Sequence, residues 1–152
     1  MLKWRYEIFL CNSMSSQEKL RKAFEYGMAN RPSVGGFPFL AECLRLSGVR
    51  RNSWSLPGAQ SIYVMDGESV VSQGTPLITG MANIPPFNER AIIEALPTDQ
   101  AGKSTFPEFL AAAWKAGVVG YDVDFGKRTV IYRGAAGESY EEAYPHNEVH
   151  GL

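Results

Sequence analysis

Apolar and polar positions along this chain trace nearly the same pattern twice. Leu20, Phe24 and Met28 recur at i, i+4 and i+8, with Ala23 beside them, which predicts a helix from about Ser16 to Met28. Ser15-Ser16-Gln17-Glu18 is a capping box at its start, and Asn30-Arg31-Pro32 ends it. A second helix opens with Pro38 in its first turn, carries Phe39, Leu40, Cys43, Leu44 and Leu46, and closes at Gly48. Trp54 and Leu56 then alternate with Ser53 and Ser55 as a strand. Pro57-Gly58 marks a turn, Ser61 to Met65 a second strand, Asp66-Gly67 a hairpin, and Glu68 to Ser72 a third strand.

After a proline-rich linker from Thr75 to Phe87, the order repeats. Asn88 caps a helix carrying Ala91, Ile92, Ala95 and Leu96, with Pro97 expected to stop it. Ser104 or Thr105 caps the next helix, whose apolar stripe is Phe109, Leu110, Ala113 and Trp114 and whose end is Gly117. Tyr121, Val123 and Phe125 alternate with Asp122 and Asp124, and strands follow at Thr129 to Arg133 and Ser139 to Ala143. Phe37-Pro38, Gly48-Val49, Ile62-Tyr63 and Gly67-Glu68-Ser69 thus reappear as Phe106-Pro107, Gly117-Val118, Ile131-Tyr132 and Gly137-Glu138-Ser139.

Each half reads α-α-β-β-β, and connections this short permit only antiparallel pairing. Strands with one apolar and one polar face need helices on one side only. The expected fold is α+β: an internal duplication about a pseudo-twofold axis, with a mostly antiparallel sheet. Residues 14–145 form one domain of two repeats, 14–74 and 86–145. Residues 146–152 are expected to be a frayed polar tail. Residues 1–13 read either as a strand, since Trp4, Tyr6, Ile8 and Leu10 alternate with charged residues, or as an extension upstream of a true start at Met14.

Composition narrows the function classes. The chain has 152 residues, 45% hydrophobic and 20% charged, with a net charge of -1. That balance carries no footprint for nucleic acid or an anionic membrane. The two cysteines, Cys11 and Cys43, have no C-x-x-C spacing, and a reduced, cytoplasmic setting fits them.

Candidate chemistry is sparse. His146 and His150 are the only histidines and both lie in the tail, so no Ser-His-Asp or Cys-His centre is expected in the core. Ala101-Gly102-Lys103-Ser104 has half of a P-loop, without the preceding strand that a phosphate cradle needs. No metal or cofactor site is expected. Asp122 and Asp124 share one sheet face, where they could act as acid and base or bind a divalent cation, or else form a solvated face. Tyr63 and Tyr132 are equivalent by repeat. With Trp54, Trp114, Tyr121, Tyr140 and Tyr144 they either fill the core or line a ligand cleft between the halves.

The ordered set Phe37-Pro38, Gly48-Val49, Trp54, Ile62-Tyr63, Gly102-Lys103-Ser104, Phe109, Ala116-Gly117-Val118, Tyr121, Asp124, Thr129, Tyr132 and Gly137-Glu138 resembles the YbcV-like proteins of cryptic prophages. That family bears the label "phage envelope protein" and has no established activity. The resemblance spans roughly Met14 to Pro145. It departs at Asn52, where the family tends to have an aromatic, and at Ala113, where it tends to have Cys. The resulting expectation is a non-enzymatic binding or regulatory module for a small molecule or protein, with homodimer formation open. The alternatives are a metal-dependent or hydrolytic enzyme using Asp122 and Asp124, and a phage-derived structural or accessory protein.

Overall fold

The computed structural model describes residues 14–32, 36–100 and 105–150. The expected strand or extension at the N-terminus, Cys11 and the Gly102-Lys103-Ser104 segment lie outside them. The elements run α1 (Ser16–Asn30), α2 (Gly36–Leu46), β1 (Val49–Ser55), β2 (Gln60–Met65), β3 (Ser69–Gln73), α3 (Glu89–Gln100), α4 (Phe106–Lys115), β4 (Val118–Asp124), β5 (Thr129–Gly134) and β6 (Ser139–Ala143). The six strands make one sheet in the order β3-β2-β1-β4-β5-β6, and every pairing is antiparallel. The class is therefore α+β, as the alternating patterns predict.

Equivalent positions in the two halves carry equivalent backbone geometry. Gly48 and Gly117 both take positive φ at the ends of α2 and α4, where their N–H groups reach back to Arg45 and Trp114. Ala59 and Arg128, each entering the second strand of its half, are the two non-glycine residues with positive φ among those described. The register slips once in each half, between Val49 and Arg51 and between Val118 and Gly120. Asn52 pairs with Tyr63, and Tyr121 with Tyr132. These details recur between residues 69 positions apart. The halves join through β1 and β4, where Leu56 N–H donates to Val119 O and Phe125 N–H donates to Arg50 O. Ser53 pairs with its own equivalent, Asp122, so the pseudo-twofold axis passes through that pair.

Among the described residues, all four helices cover one face of the sheet. Leu20, Ala23, Leu44, Tyr63, Ile92, Phe109, Leu110, Tyr121, Phe125 and Tyr132 belong to one continuous core that crosses both halves. Leu56 and Phe125, equivalent residues just past β1 and β4, are fully buried in it. Both departures from the YbcV-like pattern, Asn52 and Ala113, are also buried. The Asn52 amide donates to Ser61 Oγ and Ile62 O, a satisfied polar pair where the matching positions of the other half are Tyr121 and Val130. The open face carries Arg51, Ser53 and Ser55, Gln60, Ile62 and Val64, and their counterparts on β4 and β5.

Three expectations differ in detail. Met28 is exposed, and Gly27 takes its place on the buried face of α1. A Cβ at Gly27 would come within 2.6 Å of Leu40 Cδ1, so the missing side chain lets α1 and α2 approach closely. Helix α3 runs past Pro97 to Gln100. Proline's fixed φ is itself helical, so near a helix end it removes one hydrogen bond without turning the chain. The tail packs rather than frays: Tyr144 meets Phe37 edge-on at 5.2 Å, Arg128 donates to His146 Nδ1, and Tyr26 donates to His150 O. No helix among the described residues is long and apolar enough to cross a membrane.

Candidate functional site

Tyr63 and Tyr132 do not converge. Both are buried on the helix-covered face, 4% and 5% exposed. Tyr63 sits edge-on to Phe24 of α1 at 5.6 Å. Tyr132 packs among Phe109, Tyr121 and Tyr140 in the other half. Their strands are three steps apart, roughly 14 Å at normal strand spacing. Alternation aims both rings into the core, where burial pushes the Tyr63 hydroxyl above its ordinary titration range. The ligand-facing reading of the two tyrosines gives way to a packing role. Trp54, half-buried, stacks on Tyr121 of the same core and meets the exposed ring of Phe106 on its other side. Cys43 is buried too, and desolvation pushes its thiol up, away from reactive thiolate.

Asp122 and Asp124 do share the open face, as alternation predicts, but their carboxylates are put to different uses. Asp122 Oδ1 accepts from Ser53 Oγ at 2.7 Å, across the pseudo-twofold axis. Asp122 Oδ2 accepts from Arg133 Nε at 2.7 Å, and both partners are about two-fifths exposed. Asp124 Oδ1 caps its own turn by accepting from the Gly126 and Lys127 N–H groups. Among the described residues no three His, Cys, Asp or Glu side chains gather as a metal would need. The tail histidines separate: His146 meets Arg128, and His150 lies 3.5 Å from Glu148.

Beside Ser53 the open face dips into a shallow cleft of about 350 Å³, lined by Ser53, Ser55, Gln60, Ile62, Ile84 and Arg133 among others. Ser53, Ser55 and Gln60 bring hydroxyl and amide groups to it, Ile62 and Ile84 bring aliphatic ones, and Arg133 brings a guanidinium. Gly120 makes room for Arg133, because a Cβ there would fall 2.7 Å from the Arg133 guanidinium and 2.6 Å from Trp54 O. Sequence reading missed Arg133 and Ile84. A glycine inside a strand marks close approach by another group, so Gly120 was the available signal for Arg133. Ile84 lies in a linker with no periodicity to place it.

A second polar cluster joins the halves on the helix side. Glu42 of α2 is 6% exposed, and Arg45 grips its carboxylate through Nε and Nη2. Those bonds hold the carboxyl below the usual carboxylate range. Arg128, His146 and Tyr144 of the second half lie close by, and burial pushes the Tyr144 hydroxyl up to about 12. An ion pair buried on its Glu42 side and open on its Arg45 side, beside a neutral phenol, suits a structural role where the tail meets α2 and needs no substrate to explain it.

No family model matches the chain. It is 50% identical over 125 residues to uncharacterized protein Rv2012 of Mycobacterium tuberculosis (strain ATCC 25618 / H37Rv), which covers 82% of this chain and 76% of that protein. The same figures hold for uncharacterized protein Mb2035 of Mycobacterium bovis and for MT2067 of Mycobacterium tuberculosis strain CDC 1551. At that identity and coverage the chain belongs to the family of these mycobacterial proteins.

Proposed function

We propose that this chain is a non-enzymatic binding or regulatory protein that works through the open face of its sheet. The observation that carries this reading is the one-sided fold of the described residues: six strands with their helices on one face, and Ile62, Val64 and Val71 between 39% and 61% exposed on the other. A sheet face rich in Ser, Gln and aliphatic side chains offers adaptable hydrogen bonding and apolar contact together. The test is capture from a lysate by immobilised wild-type chain and by Ser53→Trp, which fills the cleft. Loss of a captured species with the variant supports the reading, and equal capture by both overturns it.

A metal-dependent hydrolase acting through Asp122 and Asp124 has weaker support. One carboxylate is held by Ser53 and Arg133 and the other by its own turn. Replacing both with Asn is expected to leave any stabilisation by divalent cations, read as a Tm shift, unchanged. A phage-derived accessory role rests on the YbcV-like resemblance, and prophage genes flanking this one would support it.

A further inference from the structure

The open face is laid out in three rows, each crossing all six strands from β3 to β6. The middle row is Val71, Ile62, Ser53, Asp122, Ile131, Glu141. One flanking row is Gln73, Gln60, Ser55, Gly120, Arg133, Ser139, and the other is Ser69, Val64, Arg51, Asp124, Thr129, Ala143. No lysine stands in any of them, although Lys19, Lys22 and Lys115 lie on α1 and α4. Lysine is depleted and arginine enriched at protein interfaces, and these rows hold two arginines and no lysine. Six strands at about 4.8 Å, each rising about 3.4 Å per residue, give a face of roughly 25 by 20 Å. That is about 500 Å² per partner, the size of a small interface.

We propose that this face is covered by a second copy of the chain, packed sheet on sheet about a twofold axis parallel to the central strands. The inference rests on the open-face reading and names its partner. The axis follows from charge. A twofold across the strands would set every strand against itself and bring Asp122 to Asp122 and Glu141 to Glu141. A twofold along the strands sets β3 over β6, β2 over β5 and β1 over β4. Each row then meets its own reverse. Ile62 of one copy lies over Ile131 of the other, Ser53 over Asp122, and Arg51 over Asp124. No like charges meet, and each contact occurs twice, as a closed isologous interface requires. Val71 over Glu141 is the one poor match, and it falls at the rim. The inherent twist of each sheet offsets the two by the usual 30° or so of aligned packing.

The test uses the full chain in sedimentation equilibrium over a concentration series, with circular dichroism to confirm folding. Wild type is expected at twice the chain mass. Ile62→Lys and Ile131→Glu, at sites open enough to leave the fold intact, are each expected at the single-chain mass. An equimolar mixture of the two is expected to recover the dimer, because it sets an introduced ammonium against an introduced carboxylate and leaves the other isoleucine contact whole. A monomeric wild type overturns the proposal, as does a dimer that survives both substitutions or a mixture that stays monomeric. A monomeric wild type whose captured partner is still lost in Ser53→Trp would overturn self-pairing alone and leave the open face as a binding surface.

Discussion

Glu42 shows what a single residue contributes here. Among the described residues it is the buried charged side chain, and it stays ionised because Arg45 donates to both its oxygens. Arg45 is 39% exposed, so solvent weakens the pair. Glu42→Gln keeps the shape and removes the charge, and is expected to lower the unfolding free energy by about 1–2 kcal/mol at neutral pH. The folded-state pKa of Glu42 is lowered, so its stabilisation is complete above the ordinary carboxylate pKa and is lost as pH falls through the lowered value. Urea titrations of both proteins should therefore differ at pH 7 and converge in strong acid. Nothing in sequence pattern picks out this residue, since a lone Glu on an amphipathic helix reads as solvated until the second half packs beside it.

Elements were legible where period and punctuation agree. Gly48 and Gly117 close their helices as expected, the two hairpin glycines take positive φ, and alternation assigned Asp122 to the face opposite Tyr121. What escaped was contact between distant segments: Gly27 against Leu40, Gly120 under Arg133, and the tail against Tyr26. No local pattern encodes those approaches. The two helix-closing glycines supply a controlled comparison of local and tertiary demand. A Cβ on Gly48 meets nothing within 4 Å, whereas one on Gly117 would fall 2.5 Å from Pro86 O and 2.6 Å from Phe87. Gly48→Ala should cost only the left-handed backbone penalty, about 1 kcal/mol. Gly117→Ala adds displacement of the linker and should cost about 3 kcal/mol. Equal losses in chemical denaturation would show that the linker does not press on Gly117.

At the scale of the whole molecule, a residue on a twofold axis faces its own equivalent. Identical carboxylates there would repel, and like charges directly opposite on a sheet destabilise it. The pair on this axis is Ser53 and Asp122, a donor and an acceptor bonded at 2.7 Å. Having Ser on one strand and Asp on the other makes this position a hydrogen bond and not a like-charge pair, and it holds β1 to β4. Restoring symmetry should undo that. Ser53→Asp removes the donor and opposes two carboxylates, at an expected cost of about 1–2 kcal/mol at pH 7. Arg133 bears on Asp122 from the other side and limits the loss. Ser53→Asn, which keeps a donor, should cost less. The Asp variant should recover toward wild type as pH falls below the carboxylate range, because protonating either carboxyl removes the repulsion and returns a donor to the pair. A penalty equal in both variants and insensitive to pH would mean that strand packing, and not charge, governs the axis.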